Sequence, residues 1–335
     1  MNLSIIIPVY QVEKYIRPCL ESVFKQGLDE TDFEVIIVND GTKDRSMEMI
    51  ADIISIHHNI TIINQENQGL SMARNNALEV STGEYIMFID SDDLLISNSV
   101  PYLLDKALSS KAELVVADFL KMTDDDIASF NQEIFHQKDG TVHETTGKDM
   151  LILPLYSGYF CVWHTLFKRD FLNKNSIRFI PHIYFEDNPF TLQCYAKADR
   201  CLKVNWLLNI YRIGHSSITT GLYNKKKGMD HCVIIVKTWE LSQEKYLSTP
   251  LKQKLQNDAY FSFSGLFYKL SLSTAIQRHE FVEVVQYLKQ LAPDLSFQNG
   301  IKQRIISWFY RRMPSVYTNL RFYHARYLYP IIKQK

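Results

Sequence analysis

One pattern repeats through the first 120 residues: a short apolar run rich in β-branched residues, then a stretch with apolar residues at helical spacing. Few folds accept it. Leu3–Val9 is continuous rather than alternating, as in a strand buried on both faces. Ile16, Leu20, Val23 and Phe24 then predict a helix over Glu13–Gln26, stopped by Gly27. Phe33–Val38, Ile60–Asn64, Tyr85–Ile89 and Ala112–Phe119 read as further strands, with helices over Asp44–Ser55, Ser71–Val80 and Ser99–Ser109. Strands alternating with helices at this spacing predict an α/β fold, with a Rossmann-like, doubly wound and mainly parallel sheet.

Beyond this region the rhythm changes. Lys121–Thr146, with three successive acids at Asp124 to Asp126, reads as an excursion from the sheet or a hairpin. Gly147–Thr220 mixes short helices with Pro- and Asn-bounded turns, Gly228–Leu291 is plainly helical, and Pro293–Gly300 reads as a linker. The expected organisation is an α/β domain over 1–220, a helical C-terminal region over 221–300, and a tail over 301–335.

Charge separates the tail from the rest. Lys plus Arg and Asp plus Glu number 37 each, a balance that gives no support to a general nucleic-acid binder. Residues 301–335 nevertheless hold eight Lys/Arg and no acid, so the first 300 carry 29 − 37 = −8. Trp308, Phe309, Tyr310, Tyr317, Phe322, Tyr323, Tyr327 and Tyr329 are interleaved with these cations. Basic and aromatic residues together suit an interfacial helix on anionic lipid. Packing on the acidic domain, or a contact between copies, is the alternative. No apolar run is long enough to span a bilayer, and the N-terminus opens directly into a strand without a leader pattern. The expectation is a cytoplasmic protein, peripheral on the inner face of the plasma membrane if the tail binds lipid. Five scattered cysteines, never Cys-x-x-Cys, argue against a disulfide framework or a structural zinc site.

Ligands of open parallel sheets bind outside the carboxyl ends of the strands. Three strands end there in suggestive residues: Pro8-Val9-Tyr10, Asn39-Asp40-Gly41 and Asp90-Ser91-Asp92-Asp93. The last is the sharpest feature, because three carboxylates within four residues repel one another unless a cation is near. Hard oxygen ligands suit Mg²⁺ or Mn²⁺, which bridge readily to phosphates. Alternatively, one Asp caps the following helix and the others are solvated.

Four blocks carry a resemblance. They are Ser4-Ile5-Ile6-Ile7-Pro8-Val9-Tyr10, Glu34 to Asp44 around Asn39-Asp40-Gly41, Asn67-Gln68-Gly69-Leu70-Ser71-Met72-Ala73-Arg74-Asn75, and Gly83 to Asp93. In this order and spacing the chain resembles the inverting glycosyltransferases of family 2, which have the GT-A fold. The resemblance covers about the first 95 residues, with weaker matches to about Thr220. It implies that Asp40 reads the nucleotide base, that Asp90 lies near the ribose and the metal, and that Asp92 holds a divalent cation. Pro8, Tyr10, Glu13, Gly69 and Arg74 fall with the substrate-binding residues. Asn39 and Thr42-Lys43 depart from the family's usual Asp and Ser-Thr, which leaves the choice of nucleotide open. The implied general base lies in an acidic pair opening a helix, here Glu186-Asp187, with Asp187 the first choice and Glu186 the second. Capping of that helix by Asp187 or Asn188 is compatible with this role. Arg212 and His215 match a loop that closes over the diphosphate, Arg212 as a phosphate contact and His215 as a metal or phosphate contact. Trp163 to Leu172 resembles a segment near the acceptor.

The implied activity is metal-dependent transfer of a sugar from a nucleoside diphosphate donor, UDP-sugar first, to a saccharide or lipid-linked saccharide hydroxyl. Two rivals remain. A sugar nucleotidyltransferase would carry a Gly-rich basic loop after the first strand, where Tyr10-Gln11-Val12-Glu13-Lys14 has no glycine. A non-catalytic sugar-nucleotide or polysaccharide binding subunit would have little use for all of these acids.

Overall fold

The structure is a computed structural model that describes residues 1–132, 135–152, 160–214 and 221–323. Contacts divide the chain into two compact units, Met1–His182 with Phe190–His215, and Ile183–Pro189 with Ser216–Lys335.

The first unit is built on a nine-stranded sheet with strand order β3-β2-β1-β4-β8-β6-β9-β5, β7 lying off this path on β9. In chain order the strands are β1 (Leu3–Val9), β2 (Phe33–Asn39), β3 (Ile60–Asn64), β4 (Tyr85–Phe88), β5 (Leu94–Leu95), β6 (Leu114–Met122), β7 (Val142–Thr145), β8 (Thr165–Lys168) and β9 (Cys201–Arg212). The helices are α1 (Ile16–Phe24), α2 (Ala51–Ile56), α3 (Leu70–Val80), α4 (Val100–Ser110), α5 (Asp124–Ser129), α6 (Gly147–Ile152), α7 (Arg169–Lys174) and α8 (Asp187–Lys197). Asp187–Pro189, which open α8, group with the second unit.

β1, β2, β3 and β4 run parallel, as their continuous apolar sequences require. Their register pairs Leu3 with Phe33 and with Tyr85, and Val9 with Asn39, which brings the carboxyl ends of β1, β2 and β4 to one edge. β8, β5 and β7 are antiparallel to their neighbours, so the sheet is mixed, with a mainly parallel core. The packing is close enough to dictate single residues. A Cβ added at Gly83 would stand 2.5 Å from the carbonyl carbon of Leu3 and the nitrogen of Ser4. The Gly83 N–H instead donates to Ser4 Oγ at 2.9 Å, locking the entry to β4 against β1.

Two expectations need correction in this unit. The helix expected from Asp44 begins later, as a single 3₁₀ turn at Glu48–Ile50 followed by α2. Asp44 Oδ1 accepts from the N–H and hydroxyl of Ser46, which holds these residues in a loop. The excursion after Lys121 is not a local hairpin. Thr123 caps α5 in a reciprocal capping box with Asp126, and β7 pairs with the distant β9.

The second unit holds α9 (Lys225–Leu241), α10 (Thr249–Leu272), α11 (Arg278–Leu291), α12 (Ile301–Arg312) and α13 (Pro314–Tyr323). Its core gathers Ile235, Phe263, Phe267, Phe281 and Val284 together with Tyr310, Tyr317 and Phe322. Three aromatic residues of the expected tail are therefore core side chains. Leu295 and Phe297 are buried in the same cluster, so the segment read as a linker is packed. On α12, Ile301, Ile305 and Trp308 remain exposed. No helix among the described residues is long and apolar enough to cross a membrane. All five cysteines are free thiols, four of them buried and Cys161 half-buried.

Candidate active site

At the common edge of β1, β2 and β4 the acids are held by hydrogen bonds rather than left in solvent. Asp40 follows β2 and is buried. Its carboxylate accepts from Gln65 Nε2 at 2.7 Å, the Gln68 N–H at 2.8 Å and the Gly69 N–H at 2.9 Å. Asp40 thus fixes the loop that carries Gln68 and Gly69, and Gly69 then leads into α3. The turn beyond Asp40 requires glycine: Gly41 sits at φ +67°, and a Cβ there would lie 2.9 Å from the Asn67 nitrogen.

Pro8 is buried within β1, Val9 closes its buried part, and Tyr10 beyond it is exposed. The loop from Gln11 to Glu13 is cross-linked to the loop after β2. Gln11 N–H donates to Thr42 Oγ1, Glu13 N–H to Asp44 Oδ2, and Arg45 N–H back to Glu13 Oε2. Partial burial raises the affinity of Asp44 for a proton, but bonds donated by Ser46, Thr42 and Glu13 outweigh it and hold the carboxyl below its usual range. Thr42, which with Lys43 stands where the family often has Ser-Thr, is thus a member of the cross-link. The resemblance assigns Asp44 no such role.

β4 runs into the acidic turn, closed by an Asp93 N–H bond to the Asp90 carbonyl at 3.0 Å. Arg74, fully buried on α3, donates from Nη2 to Asp90 Oδ1 at 2.6 Å, and its guanidinium lies 5.3 Å from the Phe179 ring centroid. Arg74 therefore lies beneath the acidic turn as the counter-ion of Asp90. Asp93 is the most deeply buried of the three acids: Oδ1 accepts the Arg212 N–H at 2.8 Å, while Oδ2 is buried with no hydrogen-bond partner. Burial above all, then the charges of Asp90 and Asp92, push the Asp93 carboxyl well above its ordinary value. Arg212, at the end of β9, donates from Nε to the Asp92 carbonyl at 2.8 Å, pairs with Asp124 and lies over the Tyr15 ring. It braces the same turn from the opposite sequence end.

These residues fit a divalent cation. Asp90 and Asp92 place two carboxylates in one turn, beside an Asp93 oxygen that is buried with no hydrogen-bond partner. Among the described residues no group of three His, Cys, Asp or Glu forms a complete cation cage. A cation here would be held by one or two carboxylates and completed by ligand phosphate oxygens, the usual habit of Mg²⁺. His215, the other expected ligand, lies outside the described residues.

His164, from the segment expected near the acceptor, is a core side chain between the Phe119 and Trp163 rings. Burial, with a smaller push from Lys203, pulls its pKa down to about 3, so it is neutral at physiological pH.

Glu186 and Asp187 belong to the second unit. The loop before them is strained, since Phe185 adopts φ +62° without being glycine. Such a conformation costs about 1–3 kcal/mol and persists only where its surroundings over-determine it. The Asn188 N–H donates to the Phe185 carbonyl at 3.2 Å and turns the chain into α8. Asp187 then stands in the first turn of that helix, where the dipole favours a carboxylate.

The arrangement, a mixed sheet of mainly parallel core with acids after β2 and β4, is the GT-A type of nucleotide-sugar fold. The chain matches the family described as glycosyl transferase family 2 over residues 4–174. It belongs to that family. Among curated relatives it is 33% identical over 231 residues to the uncharacterized glycosyltransferase EpsJ of Bacillus subtilis, covering 68% of this chain and 65% of EpsJ. It is 30% identical over 230 residues to glycosyltransferase GlyA of Streptococcus pneumoniae, covering 65% of this chain and 31% of GlyA. The chain thus spans less than two thirds of the length of either relative. The crystal structure of S. aureus TarS 1–349 in complex with UDP-GlcNAc shares the fold with a TM-score of 0.72 at 19% identity, over 99% of this chain and 92% of that one.

Proposed function

We propose that this protein is a metal-dependent inverting glycosyltransferase that moves a sugar from a nucleoside diphosphate donor, a UDP-sugar first, to a saccharide or lipid-linked saccharide hydroxyl. The observation that carries the reading is the acidic turn after β4, charged by Asp90 and Asp92, partly neutralised from beneath by Arg74 and braced by Arg212. TarS has been solved with UDP-GlcNAc, and a relative at 28% identity is a poly(ribitol-phosphate) beta-glucosyltransferase, which supports a nucleotide-sugar donor and a cell-surface polymer as acceptor.

In this reading Asp40 orders the loop against which the base of the nucleotide lies, and Tyr10 and Gly69 line the same edge. Asp92, with Asp90, holds the divalent cation. When bound, that cation offsets the charge on the departing diphosphate without moving a proton. Asp187 takes the proton of the acceptor hydroxyl as its oxygen attacks the anomeric carbon opposite the leaving diphosphate, so configuration inverts in one displacement. Glu186 contacts the acceptor. Arg212 reaches the diphosphate by exchanging its bond to Asp124 for phosphate oxygens.

A melting screen of UDP-, GDP-, CDP- and dTDP-sugars, each with and without Mn²⁺, tests the donor class. At 100 times its dissociation constant the right donor adds about 2.7 kcal/mol, a rise of several degrees, and only with metal. A protein that no nucleotide stabilises in Mn²⁺ would contradict the reading.

Membrane-surface attachment is proposed for α12. Ile301, Ile305 and Trp308 recur at helical spacing on its exposed side, with Lys302, Arg304, Arg311 and Arg312 along the same helix. Each basic residue near an anionic surface contributes about 1 kcal/mol. The protein should co-sediment with phosphatidylglycerol vesicles and not with phosphatidylcholine vesicles, and the Ile305→Ser/Trp308→Ser double variant should bind several-fold less. Equal sedimentation with both lipids, or a double variant that sediments like the wild type, would remove the proposal.

A further inference from the structure

The helical unit contains an interaction that packing alone does not call for. Asp230, on α9, is buried. Its Oδ2 accepts the main-chain N–H of Tyr184 at 3.0 Å, from a residue 46 positions earlier in the chain. Lys226, one turn before it, reaches both carboxylate oxygens at 2.5 and 2.6 Å, and its ammonium lies 5.6 Å from the centroid of the Tyr184 ring. A charge buried in a helix is costly unless it is paired and hydrogen-bonded. Here the pairing is spent on gripping one peptide of the loop Ile183–Glu186, which leads into α8.

The next residue of α9 holds the next residue of that loop. The Phe185 ring lies 6.3 Å from the His231 ring. His231 is itself fixed at both nitrogens, Nδ1 to the Tyr223 hydroxyl at 2.8 Å and Nε2 to Ser262 Oγ at 2.7 Å. Lys226, Asp230 and His231 thus contact Tyr184 and Phe185 from one side of one helix, and Phe185 carries the left-handed backbone conformation immediately before Glu186-Asp187. A strained residue at this place needs such support to persist.

We propose that Asp230 is a positioning residue, which through the Tyr184 peptide sets the direction of the loop and so aims Asp187. This rests on the reading of Asp187 as general base. The test uses the full chain with UDP-GlcNAc and Mn²⁺, reading UDP release with poly(ribitol phosphate) as acceptor, UDP affinity by calorimetry, and hydrogen exchange of the Tyr184 amide.

Asp230→Ala should lower kcat about 10- to 100-fold, a size in keeping with a misplaced catalytic group, while UDP affinity stays within twofold. The Tyr184 amide should lose its protection. Asp230→Asn keeps an acceptor for that N–H, and should recover kcat to within about threefold of wild type with the amide protected. This second variant carries the test alone if Asp230→Ala does not fold. Overturning results are a folded Asp230→Ala with wild-type kcat, a parallel loss of UDP affinity, or an Asp230→Asn as impaired as Asp187→Asn. If Asp187→Asn itself turns over normally, the assignment of the base fails. If Asp187→Asn is inactive and Asp230→Ala is not, the positioning role alone fails.

Discussion

Asp187→Asn is expected to lower kcat for sugar transfer by about 10²–10⁴-fold, the usual contribution of a general base. Donor affinity should be unchanged, because the substitution is nearly isosteric and the groups assigned to the nucleotide lie elsewhere in sequence. Stability is the useful control. Asp187 stands in the first turn of α8, where a negative charge contributes about 0.3–1 kcal/mol through the helix dipole. A residue whose only role is to favour that helix would therefore show a small drop in melting temperature and normal turnover. A base shows the same small drop with turnover nearly abolished. Comparing kcat, donor affinity and melting temperature on one preparation separates the two.

The second large effect is expected at a residue away from the reacting atoms. Arg74→Met should destabilise the protein by about 2–4 kcal/mol, somewhat below the range for breaking a fully buried ion pair. The discount reflects Asp90, whose side chain keeps 27% of its exposure while that of Arg74 keeps 1%. At about 2–4 °C per kcal/mol this is a fall in melting temperature of roughly 4–16 °C. Without the guanidinium, Asp90, Asp92 and the buried Asp93 share one turn with less positive charge against them. Arg74→Lys, which keeps the charge without the planar fork, should fall between the two. An Arg74→Met protein that melts within a degree of wild type would show that the pair contributes nothing.

The parts legible from sequence share a physical reason. β1, β2 and β4 are buried almost throughout, so their side chains form near-continuous apolar runs, broken by Ser4 in β1 and Glu34 in β2. The acids that end them were readable for the same reason, since a charge straight after such a run has to be at a strand end. β5 has two residues, and β7 and β8 have four each, too short for any periodicity to register. β9 mixes buried and half-buried positions along twelve residues, so in sequence it reads as part of a stretch of helices and turns. Arg74 falls by resemblance with the substrate-binding residues, and nothing in the sequence marks it as fully buried and paired with Asp90, sixteen residues on. The link from Asp230 to Tyr184 gives no signal either, because its acceptor bonds a backbone N–H that carries no residue type. The basic tail was visible from composition, but composition cannot tell which aromatic residues turn inward. Tyr310, Tyr317 and Phe322 do, whereas Trp308 does not.

The role proposed for Asp90 and Asp92 meets its most direct test in calorimetric titration of UDP-GlcNAc into wild-type protein and Asp92→Asn, each with Mn²⁺ and again after chelation. Wild type should bind at least about tenfold more tightly with Mn²⁺ than without, and Asp92→Asn should bind weakly under both conditions, as expected when a carboxylate and the donor phosphates share one cation. Equal binding by the two proteins in Mn²⁺, or wild-type binding that chelation leaves unaltered, would contradict a cation seated at the end of β4.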